Sequence, residues 1–268
     1  MEGIVEGDGS GAGRYTLRPT RISNEDILFC VDVGPESMVE LKVAMSPNGR
    51  PSTRLDSIKQ AILVFINAKL TINPENRFAF ASLGKSASWL QKEFSSEVES
   101  AFAAFRVLSA TSSSSNADLT SLFRVAAHEA KKSRVQNRLL RVILIYCRSS
   151  IRPHYQWPVN QKLFTLDVVY LHEKPGPDNY PQEVYNSLVD AVEHVSEYEG
   201  YTLETGQLLA RILFCYMCML LSHPQQRCPQ DQLDMPKPLG KKLPAADSMT
   251  TDDSITVSGK SDVQNIRT

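Results

Sequence analysis

A single carboxylate stands at the end of an apolar run near the start of the chain. The run 27–32 ends in Asp32, and Gly34 and Pro35 follow at once. A buried strand with this pattern places a side chain at the edge of an open parallel sheet, where ligands usually bind. Oxygen atoms are the ligands that Mg²⁺ prefers in proteins. Asp32 is therefore either the first ligand of a metal site or the remnant of one.

The other residues with catalytic or ligand chemistry lack the partners that this chemistry needs. The Gly-Lys-Ser at 84–86 resembles the end of a phosphate-binding loop, but Ala79 stands where the leading glycine belongs. Cys215 and Cys218 have neither a second pair nor a histidine at zinc spacing. No Gly-x-Ser-x-Gly motif occurs, and no local signature joins Cys147 to a histidine. We therefore predict a protein that is not an enzyme and holds no cofactor.

Apolar runs alternate with amphipathic segments through the middle of the chain. The strand-like runs lie at 27–32, 78–83, 86–90, 141–147 and 164–172. Helical spacing of apolar residues marks, among others, 54–70, 181–195 and 207–221. Strands that alternate with helices predict an α/β fold with a single doubly wound, mostly parallel sheet. The runs at 78–83 and 86–90 predict one antiparallel hairpin at its edge.

Composition sets the boundaries of the predicted domain. A glycine-rich stretch makes 1–24 a flexible leader, and residues 231–268 are rich in Pro, Asp, Ser and Lys, which predicts a disordered tail. The predicted domain with its C-terminal segment is therefore 25–230. A net charge of −1 gives no bulk attraction to nucleic acid or to acidic membranes. The most apolar segment, 208–221, is too short to span a bilayer and carries Arg211.

Two segments are not explained by a plain α/β sandwich. The first, 151–159, carries Tyr155 and Trp157, which are residues that anchor interfaces or fold back over their own domain. The second, 220–230, ends the last helix at His223-Pro224 and then carries prolines and Arg227. Such a sequence is typical of an extended segment that docks in a groove of another protein, or of a linker after a helix stop.

The loop after the first strand resembles that of the von Willebrand factor A domain. The metal site of that family has Asp-x-Ser-x-Ser here, a Thr from a second loop and an Asp after a later central strand. This sequence keeps Asp32 but has Gly34 and Glu36 at the serine positions; Thr111 could supply the hydroxyl. Arg148 stands where the last Asp belongs. We therefore predict a degenerate site without metal, in which Arg148 pairs with Asp32 or Glu36.

Residues 26–230 together resemble the von Willebrand A-like scaffold subunits of the BRISC and BRCA-one A deubiquitinase complexes, the MERIT-forty type. The resemblance rests on the degenerate metal loop, the phrase DVVYLH, the hairpin with Trp89 and the ending LLSHPQQRCPQ. It implies a non-catalytic protein of nucleus and cytoplasm that binds the BRE subunit. It also implies indirect association with a metalloprotease deubiquitinase and an Abraxas-type scaffold, and a role in DNA damage repair and polyubiquitin processing. The docking residues implied are His223, Pro224, Gln226, Arg227 and Pro229.

Two alternative functions are compatible with the same fold. One is a metal-dependent von Willebrand A module that captures an acidic ligand. The other is a proteasomal-type ubiquitin receptor, which would need a ubiquitin-binding helix in the tail; the tail lacks the apolar stripe of such a helix. For this protein we predict no direct contact with nucleic acid and no association with a membrane.

Overall fold

The structure, a computed structural model, describes residues 22–41, 52–112, 116–158, 161–207 and 209–233. Within these ranges the helices are α1 (Arg54–Ile72), α2 (Val98–Val107), α3 (Leu119–Val135), α4 (Pro181–Val195) and α5 (Ala210–Met219). The strands are β1 (Asn24–Asp32), β2 (Glu40–Leu41), β3 (Ser52–Thr53), β4 (Arg77–Leu83), β5 (Ala87–Ser95), β6 (Ala117–Asp118), β7 (Arg138–Tyr146), β8 (Pro153–His154), β9 (Thr165–Leu171) and β10 (Thr202–Thr205).

Six strands form the central sheet, in the order β10-β9-β7-β1-β4-β5. All neighbours are parallel except β5, which pairs antiparallel with β4 at the edge. The predicted α/β fold with an antiparallel edge hairpin is confirmed. The four shortest strands form two separate pairs, β2 with β3 and β6 with β8.

Helices cover both faces of the sheet, which explains why the central strands are apolar without alternation. On one face, Phe29 of β1 packs with Ile62 and Phe65 of α1, in a core that α2 and α5 complete. On the other face, Cys30 packs in the core formed with α3 and α4. The ring of Phe65 meets that of Phe29 edge-on, with centroids 5.5 Å apart.

Helix starts follow local sequence signals. Thr53 and Asp56 form a reciprocal capping box at the start of α1. Asp118 caps α3, and Pro181 is the first residue of α4. Among the described residues, no helix is both long and apolar enough to cross a membrane.

The described part of the chain extends slightly beyond the predicted domain limits. Asn24, predicted to end the leader, is the first residue of β1, and a short 3-10 helix spans Gln230–Gln232. Residues 1–21 of the predicted leader and 234–268 of the predicted tail lie outside the described residues.

Candidate functional site

Asp32 is the last residue of β1 and lies fully buried at the carboxyl edge of the sheet. Its side chain accepts two backbone hydrogen bonds. The N–H of Gly34 donates to Oδ1 (2.9 Å), and the N–H of Cys147 donates to Oδ2 (3.0 Å). Because β1 and β7 are parallel neighbours, the residue that follows β7 reaches this carboxylate directly.

Arg148 supplies the positive charge beside Asp32. Its Nε and Nη2 atoms both lie 2.9 Å from Asp32 Oδ1, and the side chain is 1% exposed. Nη2 also donates to the carbonyls of Leu83 (3.1 Å) and Gly84 (2.7 Å). One guanidinium therefore joins the loops that follow β1, β4 and β7. The predicted ion pair is present, and of the two predicted acceptors Asp32 is the one that pairs with Arg148.

Gly34 fits the same arrangement. A Cβ atom at this position would lie 2.9 Å from Arg148 Nε and 3.3 Å from Asp32 Oδ1. A serine here, as in the metal-binding loop that the sequence resembles, would push against the guanidinium. The guanidinium of Arg148 therefore fits beside Asp32 because Gly34 has no side chain.

The remaining residues of the degenerate site do not complete a metal shell. Thr111 donates both its N–H (2.7 Å) and its hydroxyl (3.1 Å) to the carbonyl of Val33. The carbonyl of Glu36 accepts from Nη1 of Arg54 (3.1 Å), which also donates to the carbonyl of Cys147 (3.3 Å). Arg54 is fully buried, so a second guanidinium lies beside these loops.

A divalent cation does not fit these residues. It would have to share Asp32 with the guanidinium of Arg148 already in contact with Oδ1, and two like charges in a buried site repel strongly. Within the described ranges, no three His, Cys, Asp or Glu side chains are grouped so that they could hold a metal ion.

The C-terminal segment lies at the opposite edge of the sheet, and there Arg227 is bound within its own domain. The Arg227 side chain is fully buried, with Nη1 2.6 Å from Oδ1 and Nη2 3.1 Å from Oδ2 of Asp167. Nη1 also donates to the carbonyl of Glu199 (2.9 Å), and the guanidinium lies 4.4 Å from the ring centroid of Tyr201. Arg227 was expected to face a partner; in this chain it faces the protein interior.

The other four expected docking residues differ in exposure. Pro224 is buried, and His223 is half-buried, with Nε2 2.9 Å from the carbonyl of Ser23. Burial lowers the pKa of His223 below its ordinary value. Gln226 and Pro229 are exposed. The segment is partly helical rather than fully extended as expected, because a 3-10 turn spans Pro224–Gln226.

A buried charge cluster lies at this edge of the sheet. It consists of Glu25, Lys69, Arg141, Asp167 and Arg227. Arg141 donates from Nε to Asp167 Oδ2 (2.6 Å) and lies 3.3 Å from Glu25 Oε1. Lys69 pairs with the other oxygen of Glu25. Nη2 of Arg141 donates to the carbonyl of Leu220 just after α5 (2.7 Å). The cluster therefore connects the sheet, α1, the end of α5 and the C-terminal segment.

Sequence reasoning missed this cluster, although one signal was present. Arg141 and Asp167 are charged residues within two otherwise apolar runs, and a charge in a central strand needs a buried partner. Burial by itself raises the pKa of Asp167. The attraction of Arg141 and Arg227 and hydrogen bonds from Arg227 and the Tyr201 N–H outweigh this effect and lower the pKa to about 2.

Tyr155 and Trp157 fold over their own domain. Both rings meet Phe123 of α3 edge-on, with centroids 5.5 Å and 6.0 Å from it. The Tyr155 hydroxyl donates to Asp190 (2.6 Å) and the Trp157 indole N–H to the carbonyl of Gln161 (2.9 Å). Both side chains remain half-buried. Val159 and the loop residues 113–115 lie outside the described residues, as does the tail on which the ubiquitin-receptor alternative depends.

No protein-family model matches the chain, and no curated protein matches it. Three solved structures illustrate the similarity in fold. The chain is 14% identical to the SpRpn10 VWA domain over 72% of this chain and 94% of that one, with a TM-score of 0.48. It is 14% identical to the TFIIH p34 N-terminal domain over 73% of this chain and 96% of that one, with a TM-score of 0.48. It is 10% identical to the PilB minor pilin from Streptococcus sanguinis over 77% of this chain and 62% of that one, with a TM-score of 0.50. At 10% identity, the likeness to the PilB minor pilin is a likeness of fold alone.

Proposed function

We propose that this protein is a non-catalytic scaffold subunit that binds BRE in a deubiquitinase assembly of the BRISC and BRCA-one A type, in nucleus and cytoplasm. The proposal combines the sequence resemblance with one structural observation that carries it. The segment after α5, the one implied to bind BRE, is an ordered part of the domain and presents exposed residues between fixed anchors.

Two side chains anchor the segment. Arg227 is held by Asp167, and Gln230 bonds both backbone groups of Thr202, accepting from its N–H (2.7 Å) and donating to its carbonyl (2.8 Å). Between these anchors Cys228 and Pro229 are exposed, and Gln226 is exposed just before them. A partner that binds this surface meets residues that are already ordered, which reduces the conformational entropy lost on binding.

The candidate catalytic residues support a non-catalytic role. Cys147 is buried, and burial raises the pKa of its thiol far above the ordinary value, so it stays protonated. The ring nitrogens of His172 lie 2.7 Å from the carbonyl of Glu173 and 2.7 Å from Oε2 of Glu204. Neither side chain has the exposed, activated character of a nucleophile or a general base.

A surface variant tests the proposal more cleanly than removal of the segment would. Truncation after Leu221 would also remove Arg227 and disturb the fold through Asp167. We expect the double variant Gln226→Glu/Pro229→Glu to bind purified BRE at least about tenfold more weakly than wild type, because two charges enter the contact surface. Binding is measured by interferometry with immobilised BRE.

The matched control makes the same two chemical changes elsewhere. Gln182→Glu/Pro177→Glu alters exposed residues at the start of α4 and in the loop before it. This control is expected to bind BRE with wild-type affinity. Equal affinity of both double variants, with BRE binding intact, would remove the docking role of this segment.

A further inference from the structure

A second interaction surface lies on the α3 and α4 side of the sheet, apart from the C-terminal segment. We infer that the groove lined by α3, residues 156–158 and Gln161 binds an extended acidic peptide of a partner protein. This inference is independent of the proposed function, since it uses none of the residues proposed to bind BRE.

The groove, called here the basic groove, has an open volume of about 610 Å³. Arg124, His128 and Lys131 of α3 line one wall. They are spaced four and three residues apart, so they lie on one side of the helix. Trp157, Pro158 and Gln161 are among the residues that line the opposite wall.

The three basic side chains are exposed and have no hydrogen-bond or ion-pair partner within the part of the chain that the structure describes. Neighbouring exposed cations are paired. Lys132 lies 2.9 Å from Glu129, and Arg134 lies 2.6 Å from Glu197. The basic groove therefore has uncompensated positive charge, whereas the adjacent surface of α3 is neutralised. This charge is complementary to a ligand with several carboxylates.

Contacts within the domain position the side chain of Trp157. Its indole N–H is satisfied by the carbonyl of Gln161 (2.9 Å), and its own carbonyl lies 3.0 Å from Nε2 of His194. Its ring meets Phe164 edge-on, with centroids 6.5 Å apart. With its polar atoms already bonded, Trp157 offers a ligand an apolar surface that needs little ordering.

The spacing of the cations fits an extended peptide. A helix rises about 1.5 Å per residue, which places Arg124 and His128 about 6 Å apart along the axis and Lys131 about 4.5 Å further. Residues on the same side of an extended chain are about 6.6–6.8 Å apart. Arg124 and Lys131 are thus about 10.5 Å apart along the axis, and their long, flexible side chains can reach acidic residues four positions apart on one side of such a chain, about 13 Å apart. Two cations, Arg124 and Lys131, form too short a basic surface to favour nucleic acid, and the net charge of −1 adds no bulk attraction.

The test uses a fluorescein-labelled twelve-residue peptide of alternating Glu and Ser. We expect saturable binding to the full-length wild-type protein by fluorescence anisotropy, with a Kd below about 1 mM. The variant Arg124→Glu/Lys131→Glu is expected to bind at least about tenfold more weakly. The control Lys92→Glu/Arg106→Glu makes the same charge change at exposed positions on β5 and α2 and is expected to stay within about twofold of wild type.

Three results would overturn the inference. They are no saturable binding of the acidic peptide to wild type, equal weakening by both double variants, or tighter binding of single-stranded oligothymidine than of the peptide. An alternating Gln and Ser peptide is expected not to bind, and its binding would also contradict the charge-based recognition. Retained BRE binding by Arg124→Glu/Lys131→Glu would separate this surface from the proposed docking segment.

Discussion

The Asp167→Asn variant is expected to have a free energy of unfolding about 3–5 kcal/mol lower than wild type. Asp167 is fully buried between Arg141 and Arg227. Asparagine keeps the shape of the side chain but removes its charge. Three buried cations, Lys69, Arg141 and Arg227, would then share the single carboxylate of Glu25. Urea denaturation followed by circular dichroism measures the change.

The matched control is Asp178→Asn, the same chemical change at an exposed position. It is expected to change the free energy of unfolding by at most about 0.5 kcal/mol. A loss of similar size in both variants would show that the buried charge cluster does not depend on Asp167.

The pH dependence of stability provides a second test of the role of Asp167. The pKa of Asp167 is lowered from 3.8 to about 2 in the folded state. Its stabilising effect is therefore complete above about pH 4 and is lost as the pH falls through about 2. The pKa of Asp26 is also lowered, so its stabilising effect is also lost in acid, both in wild type and in Asp167→Asn. The difference in stability between wild type and Asp167→Asn should accordingly shrink as the pH falls from 4 to 2.

The second large effect is expected at the opposite edge of the sheet. Arg148→Met is expected to lower the free energy of unfolding by about 3–5 kcal/mol. Without the guanidinium, the fully buried Asp32 would keep the backbone N–H groups of Gly34 and Cys147 but no longer the Arg148 cation that now contacts it. The carbonyls of Leu83 and Gly84 would also lose a donor.

A double-mutant cycle isolates the ion pair. Adding Asp32→Asn to Arg148→Met removes the unpaired charge, so the double variant should be more stable than additivity of the single variants predicts. Arg152→Met is the control, since Arg152 pairs with Glu183 at the surface and its loss should lower stability by less than about 1 kcal/mol. Equal losses for Arg148→Met and Arg152→Met would contradict the structural role of Arg148.

The fold could be predicted because it follows from local patterns. Continuous apolar runs that alternate with helices specify a parallel sheet covered on both faces. The pairing of Arg148 with Asp32 or Glu36 was predicted instead from the resemblance of the loop after the first strand to a metal-binding loop, and Asp32 is the partner in the structure.

The position of Arg227 could not be predicted in this way. Its partner Asp167 is 60 residues away, and the contact depends on how the chain turns after α5. A sequence with prolines and one arginine is equally compatible with a free extended arm and with a segment folded on its own domain. The charged residue within the strand at Asp167 showed that a partner was required, but not which one.

The two edges of the sheet therefore have different roles in this account. At the carboxyl edge, the guanidinium of Arg148 occupies the space beside the buried carboxylate of Asp32. At the opposite edge, the buried charge cluster orders the C-terminal segment and leaves Gln226 and Pro229 exposed. The proposed scaffold function uses the second edge and requires no ion at the first.

Arg148 occupies the site at Asp32, and a magnesium titration shows whether an ion can bind there instead. Mg²⁺ is titrated by calorimetry into wild type and into Asp32→Asn at the same protein concentration, and Tm is recorded with and without the ion. Wild type is expected to give no saturable heat and no shift of Tm. A saturable heat in wild type that Asp32→Asn abolishes would contradict this expectation.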